Sequence, residues 1–430
     1  MSPIVIQHLP PSKSFTNRLF VMAYLAGVLP FVKKKFYARW QKAQIPDDIN
    51  LMLSALESIP QTNLQKANSS ETSIIDVGAA GTVLRFVLAV ASLTTQGRVS
   101  FSATQRLRQR PLQPLIEALS ELGANISGSW GNEKVSSTSL VISPSLHPLR
   151  GGDIAPEIGS LSSQFITALL LIAPYLSSPL FVPLSADAPS KPYIAMTLSM
   201  MHRAGALFTL NKEGVLIQNK PYNREALMNM GEKIEGDWSA ASYIYGWTAI
   251  LPLETRLFIP HLTKFDTQGD KKVADLMLPL GVQTHCIENG GILLKRVSTS
   301  APLLYQPTLK DYPDLFPALF VTVLMQGQSF FFNQIGGVRL KESDRLSALS
   351  DVAQSLGFIV EETSSSIMWR GKKNSSEENI SVRTLQDHRL PMAWSIALLK
   401  GYNLHFDDAS VVSKSYPLFW EDATRVGIEI

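Results

Sequence analysis

The chain is poor in the features that would give it away cheaply. It has a single cysteine, Cys286, so no internal disulfide can form, and a reducing compartment is expected. It lacks a charge imbalance: 39 Lys plus Arg stand against 36 Asp plus Glu, which argues against a nucleic-acid or membrane-surface protein. Any strongly basic site must therefore be local. It lacks a long apolar run. Leu19–Val32 is too short to span a bilayer, contains Pro30, and is followed by Lys33-Lys34-Lys35, so a buried helix with a solvated lysine exit is expected rather than a targeting segment. Its seven histidines show no H-x-x-x-H pair, and with one cysteine no metal or other cofactor is implied.

What is present is a repeat. With 430 residues, 45% of them apolar, two domains are expected. Amphipathic stretches end again and again in glycine: Pro111–Leu122 at Gly123, Lys191–Ala204 at Gly205, Lys271–Leu280 at Gly281, Asp344–Leu356 at Gly357 and Pro417–Val426 at Gly427. Glycine takes the left-handed backbone that terminates a helix. Asp47–Leu56 reads as a sixth copy without the glycine. Between them lie helices that are small or apolar on nearly every side, which marks them as buried. These are Lys13–Ala26, Gly81–Ser92, Ser163–Leu176, Ala240–Leu251, Leu315–Gln326 and Leu390–Lys400. Short strands such as Val99–Ser102, Leu140–Ile142, Leu207–Leu210 and Ile292–Leu294 fill the gaps. The pattern is six units, three per domain.

The starts of the buried helices carry unusual polar residues: Lys13 and Ser14, Gly81 and Thr82, Ser162 and Gln164, Asp237 and Ser239, Asp314, and His388 and Arg389. Helix N-termini bind anions through unpaired N–H groups and the dipole. Capping explains Ser239 and Thr82 well enough. It does not explain lysine and arginine there, because their charge opposes the dipole unless an anion is present.

These residues fall into motifs. Ser12-Lys13-Ser14-Phe15-Thr16-Asn17-Arg18 resembles the SKSxxNR segment of the EPSP synthase family. Ala80-Gly81-Thr82 with Arg85 is similar to its AGTxxR turn, and Arg106–Pro111 to its RxxxRP segment. Ser162-Ser163-Gln164-Phe165 and Ser190-Lys191-Pro192-Tyr193 match two more. Lys341–Arg345 resembles KExDR, Asp387-His388-Arg389 resembles DHR, and Lys414 lies in a run like the family's C-terminal lysine. Each match is weak alone; in order, over residues 12–417, they are specific.

The resemblance implies an α/β fold, a two-domain inside-out α/β barrel of six βαβαββ-type repeats. Residues 1–11 plus 236–430 would form the first domain and 12–235 the second. It implies transfer of the enolpyruvyl group of phosphoenolpyruvate to shikimate-3-phosphate, a step of the shikimate pathway toward chorismate and the aromatic amino acids. The enzyme would be cytoplasmic and monomeric, with these two small molecules as partners and neither nucleic acid nor membrane. Both substrates carry a phosphate and a carboxylate, which calls for several guanidinium and ammonium groups. By resemblance, Lys13, Gly81, Arg110, Gln164, Arg345, Arg389 and Lys414 take phosphoenolpyruvate. Lys13, Ser14, Arg18, Ser162, Ser163, Gln164, Ser190, Asp314 and Lys341 take shikimate-3-phosphate. Asp314 and Glu342, with Lys13, are the catalytic candidates, because addition and elimination both need acid–base groups. Their bland alternatives are a helix cap for Asp314 and a salt bridge for Glu342.

The same resemblance places glyphosate in the phosphoenolpyruvate site, with room left by Gly81. Ala79 stands where many members have asparagine, and Gly337 where some do; residues 28–46 match no expected family pattern. UDP-N-acetylglucosamine enolpyruvyl transferase is the nearest rival, but its family uses a reactive loop cysteine near Arg110 that is missing here. A catalytically dead anion-binding scaffold is the rival of another class. Intact Asp314, Glu342 and their cationic neighbours argue against it.

Overall fold

A computed structural model describes residues 2–430 apart from 62–71, 132–139, 159–161, 186–187, 189, 289, 301 and 376–378. The chain divides into two compact units. The first holds residues 1–13, 41–47 and 235–430; the second holds 14–40 and 48–234. Segment 41–47 thus returns to the first unit, which the expected boundaries did not include. Where the chain passes between units its two strands pair. Pro11 bridges Gly236 antiparallel, Ser12 N donates to the Glu235 carbonyl at 2.9 Å, and Asp237 N donates to the Pro10 carbonyl at 3.0 Å.

Six helices are buried along most of their length, and we label them in chain order: α1 Lys13–Leu25, α2 Gly81–Thr94, α3 Ser163–Ile172, α4 Trp238–Ile250, α5 Phe316–Gln326 and α6 Arg389–Leu398. Their apolar composition on all sides leaves no solvent face, as the sequence implies. The amphipathic stretches between them form surface helices. Gly123, Gly205, Gly281, Gly357 and Gly427, which end them, sit at φ of +98°, +82°, +83°, +84° and +87°. Left-handed backbone is available to glycine at little cost, so the sequence period and the chain geometry have one cause.

The strands complete the repeat. In the second unit, Thr72–Asp76 pairs parallel with Arg98–Ser102 across α2, and the sheet adds Val141–Ser143 and Asn125–Ser127 antiparallel. Gly152–Asp153, Leu180–Pro183, Gly214–Ile217 and Phe208–Leu210 repeat that order around α3. In the first unit, Ile4–Val5, Arg256–Ile259, Ile292–Arg296 and Val282–Cys286 do so around α4. Around α5 the leading strand is reduced to the isolated bridges Tyr305–Phe330 and Thr308–Asn333, beside a three-stranded sheet. Around α6, among the described residues, the sheet is the parallel pair Ile380–Val382 and Leu404–Phe406. Around α2, α3 and α6 the parallel pair flanking the buried helix is the βαβ element of the repeat.

The α1 unit departs from the pattern. Where a strand would follow α1, residues Leu29–Arg39 form a second helix, with Pro30 in its first turn where its missing N–H costs nothing. The lysine run therefore lies inside a helix and is not a solvated exit. Lys33 pairs with Glu57 at 2.6 Å and Lys35 with Glu232 at 2.7 Å. Among the described residues this unit has no sheet of its own, and the 28–46 stretch that matches no expected family pattern is mostly this helix.

In the first unit, α4, α5 and α6 pack on one another. Gly246 lets them close up: a β-carbon there would lie 2.4 Å from Ile396 Cδ1 and 2.9 Å from Thr322 Oγ1. Trp247 Nε1 donates to Ser395 Oγ at 2.9 Å across the same contact. In the second unit, Arg18 on α1 lies over the Phe86 ring of α2 and donates to Thr167 of α3. No helix among the described residues is long and apolar enough to cross a membrane.

Candidate active site

The first unit gathers its expected site residues around one guanidinium. Arg345 is buried at the start of the helix Arg345–Ser355, which Asp344 caps through its bond from Ser347 N. Its Nε and Nη2 donate to Asp387 at 2.7 and 3.2 Å, its Nη1 to Asp314 at 2.9 Å, and its Nη2 to Glu342 at 2.6 Å. Burial disfavours the charge, but Asp387, Glu342 and Asp314 more than offset it and raise the Arg345 pKa. Asp314 receives three further contacts: Lys341 Nζ at 3.4 Å, Arg389 Nη2 at 3.3 Å, and a bond from Arg389 Nη1 to its carbonyl at 3.3 Å. Burial alone would push the Asp314 carboxyl up. Arg389, Lys341, Arg345 and Lys13 together hold it well below its ordinary value, so it is ionised.

Asp314 does not cap α5: the capping position is Leu315, and no side chain bonds there. Glu342 does make the Arg345 salt bridge, which leaves an acid–base role possible on the same carboxylate. Ser239 and Thr82 are not caps either. Asp237 caps α4 through Ala240 N at 2.9 Å, while Ser239 Oγ gives its hydrogen to Asp270. At α2 the capping residue Ala80 has no side-chain bond, and Thr82 Oγ1 accepts from Gln164 Nε2 at 3.3 Å.

The turn before α6 is strained. Leu385 and Gln386 have φ of +52° and +57°, unusual for residues with a side chain. Asp407 holds this turn through Thr384 N at 2.8 Å and Thr384 Oγ1 at 2.7 Å. Lys414 Nζ donates to the Gln386 carbonyl at 2.7 Å, which brings the C-terminal lysine to the same turn. Non-glycine residues in this region persist where the surroundings over-determine them, often at functional sites. His388 follows, buried, with neither ring nitrogen hydrogen-bonded. Burial first, then Lys13 and Arg389, hold it well below the usual imidazole range, so it is neutral.

The second unit holds a separate group. Gly81 opens α2, and Arg85 Nη1 donates to its carbonyl at 3.0 Å while Nη2 donates to Pro111 O at 2.9 Å. Arg85 thereby ties the helix start to the Arg106–Pro111 segment. A β-carbon at Gly81 would sit 2.5 Å from Arg110 Nη1 and 2.7 Å from Arg85 Nη1, so glycine is what admits both guanidinium groups. Ser162 caps α3 through Gln164 N at 3.3 Å, which leaves Ser163 as the first helical residue. The Gln164–Thr82 bond then brings Gln164 beside Gly81. Ser190 has φ of +60° just before the helix Lys191–Arg203. Arg18 is buried, its pKa pushed down to about 10 by desolvation. It donates to Thr197 Oγ1 at 2.8 Å, to the Ser14 carbonyl at 2.8 Å and to the Tyr193 carbonyl at 3.3 Å. Much of its capacity thus goes to holding α1 against its neighbours.

A family model described as EPSP synthase (3-phosphoshikimate 1-carboxyvinyltransferase) matches residues 5–423. The chain belongs to the EPSP synthase family. A Bacteroides fragilis (strain YCH46) 3-phosphoshikimate 1-carboxyvinyltransferase is 32% identical over 98% of this chain and 95% of its own length. The protein of that name from Methanocorpusculum labreanum is 28% identical over 98% and 96%. Among solved structures, EPSP synthase from Acinetobacter baumannii superposes with a TM-score of 0.66 at 17% identity, covering 98% of this chain and 95% of that one. The enolpyruvyl transferase NikO from Streptomyces tendae superposes with a TM-score of 0.64 at 11% identity, over 100% and 95%. These structural likenesses speak to the fold.

Within that family frame, sequence reasoning missed Asp387 as a site residue, although the DHR motif contains it. It is fully buried and accepts from Arg345, Ser343 Oγ at 2.9 Å and Arg389 N at 3.0 Å. It also missed Tyr243, whose hydroxyl accepts from Arg389 Nη1 at 3.3 Å. A tyrosine inside an apolar helix carries no signal of its own; a buried aspartate between Gln386 and His388 could have been flagged.

Proposed function

We infer that this chain transfers the enolpyruvyl group of phosphoenolpyruvate to the 5-hydroxyl of shikimate-3-phosphate, releasing inorganic phosphate. The observation that carries the reading is Asp314: an ionised carboxylate held by Arg345, Arg389 and Lys341, in a chain of the EPSP synthase family. Those cations can exchange a protein carboxylate for a substrate phosphate or carboxylate with little change of geometry. As they do so, Asp314 loses the charges that depress its pKa and becomes a stronger base.

The reaction is addition followed by elimination. Asp314 takes the proton of the attacking hydroxyl as its oxygen bonds C2 of the enol, and C3 gains a proton. Glu342 and Lys13 serve as the acid–base groups for the C3 proton and for the departing phosphate. Elimination removes a C3 proton and breaks the bond from C2 to the phosphate oxygen. Lys13, Gly81, Arg110, Gln164, Arg345, Arg389 and Lys414 bind phosphoenolpyruvate. Lys13, Ser14, Arg18, Ser162, Ser163, Gln164, Ser190, Asp314 and Lys341 bind shikimate-3-phosphate. The protein works as a cytoplasmic monomer; the lone Cys286, exposed at a strand end, suits a reducing compartment.

The test is phosphate release from phosphoenolpyruvate, with shikimate-3-phosphate or UDP-N-acetylglucosamine offered separately. Release with the first alone is expected. Release with the second alone, or with neither, would overturn the assignment.

A further inference from the structure

Gln268 lies outside every motif that carries the family resemblance, yet its side chain is fully buried and completely used. Its Oε1 accepts from Trp238 N at 2.8 Å and from Ser12 Oγ at 3.2 Å. Its Nε2 donates to Ser239 Oγ at 3.0 Å and to Asp237 Oδ1 at 3.4 Å. An amide offers two donors and two acceptor positions, and all four are taken. Every partner lies at the start of one of two helices: Ser12 immediately before α1, and Asp237, Trp238 and Ser239 at the start of α4.

Asp237 closes the circuit. Its Oδ1 caps α4, and its Oδ2 accepts the backbone N–H of Lys13 at 3.0 Å. The loop that delivers Gln268 is anchored in turn by Glu235, whose carboxylate accepts from Thr267 N at 2.8 Å and Gln268 N at 3.0 Å. Lys13 is thus fixed at its own backbone by Asp237 and at its preceding residue by Gln268. Its ammonium group, at the far end, acts on Asp314 and His388.

We propose that Gln268 is a positioning residue for Lys13, setting where the lysine enters the Asp314–Arg345 cluster. A buried amide with four protein partners is costly to place and resists small shifts, so it fixes a helix start more firmly than apolar packing does. It touches no substrate; it acts through Ser12 and Asp237. The inference rests on Lys13 being a substrate contact, and the experiment separates the two.

Binding of shikimate-3-phosphate is measured by calorimetry for the wild type, Gln268→Met, Lys13→Met and the double variant, with thermal unfolding as the check on folding. Gln268→Met keeps the length and removes all four bonds. It should weaken binding about tenfold in the wild type and less than about twofold once Lys13 is absent, since coupled residues are non-additive. Equal losses in both backgrounds, or no loss in the wild type, would overturn the positioning role. Lys13→Met binding as well as the wild type would instead sink the reading of Lys13. Asp237→Asn is the second variant. Asparagine still caps α4 but can turn an amide N–H toward Lys13 N, so the same Lys13-dependent loss is expected even where Gln268→Met fails to fold.

Discussion

Replacing Gly81 by alanine tests the proposal that Gly81 and Arg110 of the second unit bind phosphoenolpyruvate. The added β-carbon would lie 2.5 Å from Arg110 Nη1 and 2.7 Å from Arg85 Nη1. An ordinary carbon–nitrogen contact is about 3.5 Å, so one or both guanidinium groups must retreat by about 1 Å. Arg85 is held at two carbonyls, Gly81 O and Pro111 O, which leaves Arg110 to move further. A charge-assisted hydrogen bond contributes about 1.5–3 kcal/mol, and a 1 Å displacement forfeits much of it. Losing about 1.5 kcal/mol corresponds to roughly a tenfold rise in the KM for phosphoenolpyruvate. The kcat should change little, because Asp314 and Glu342 are untouched. Glyphosate, which by family resemblance is slightly longer than the substrate, should lose more than tenfold in inhibition. The assay is steady-state kinetics at fixed shikimate-3-phosphate for the wild type and Gly81→Ala. A folded variant whose KM stays within about twofold of wild type would refute the role given to Arg110. Equal losses for both ligands would mean that the extra length of glyphosate never meets residue 81.

Asp314→Asn and Glu342→Gln should each cut turnover by about 10²–10⁴-fold while changing substrate binding far less; near-wild-type turnover in both would make the two residues structural. Asp387→Asn withdraws a buried carboxylate from Arg345, a loss of about 3 kcal/mol. Thermal unfolding should then fall by roughly 6–12 °C, and a fall of under about 2 °C would show that Asp314 and Glu342 suffice. The Glu235 carboxyl is pushed up from 4.5 to about 7, by burial first and then by Asp266. Its raised folded pKa means that its stabilising contribution is full below pH 4.5 and is lost as pH rises to about 7. Relative to Glu235→Gln, the wild type should therefore lose on the order of 3 kcal/mol between pH 5 and pH 8; a difference that does not change with pH would contradict this.

Periodicity made much of the fold legible. Glycines spaced 82, 76, 76 and 70 residues apart end helices because left-handed backbone is needed there. Helices apolar on every side are buried because nothing on them tolerates water. The same logic failed at Leu29–Arg39, where lysines and aromatics gave no clear period and a second helix stands in place of the expected solvated lysine exit. It failed at Ser239 and Thr82, where a hydroxyl near a helix start reads as a cap although Asp237 caps α4 and no side chain caps α2. Motifs supplied the charged residues but not their partners. Arg345 was legible; that three carboxylates would share it was not, since Asp314 and Asp387 are 31 and 42 residues away. Gln268 and Ser12, 256 residues apart, leave no local trace at all.

The cluster in the first unit also bears on why its carboxylates are there. Arg345, Arg389 and Lys341 all contact Asp314, and like charges gathered in this way would repel strongly inside a protein. Asp314, Glu342 and Asp387 cancel that repulsion, and each does so differently. Asp387 is fully buried and bonded to Ser343 Oγ and Arg389 N as well as Arg345, so it is fixed in place. Asp314 and Glu342 keep about a fifth of their side-chain surface exposed, at 18% and 21%. Of the three, they alone present side-chain surface to solvent. On the proposed function, an incoming phosphate or carboxylate would compete with these two for the cations and free them. On the proposed mechanism, Asp314 and Glu342 are the carboxylates that an anionic substrate would release for proton transfer, whereas the fully buried Asp387 would stay bonded to Arg345.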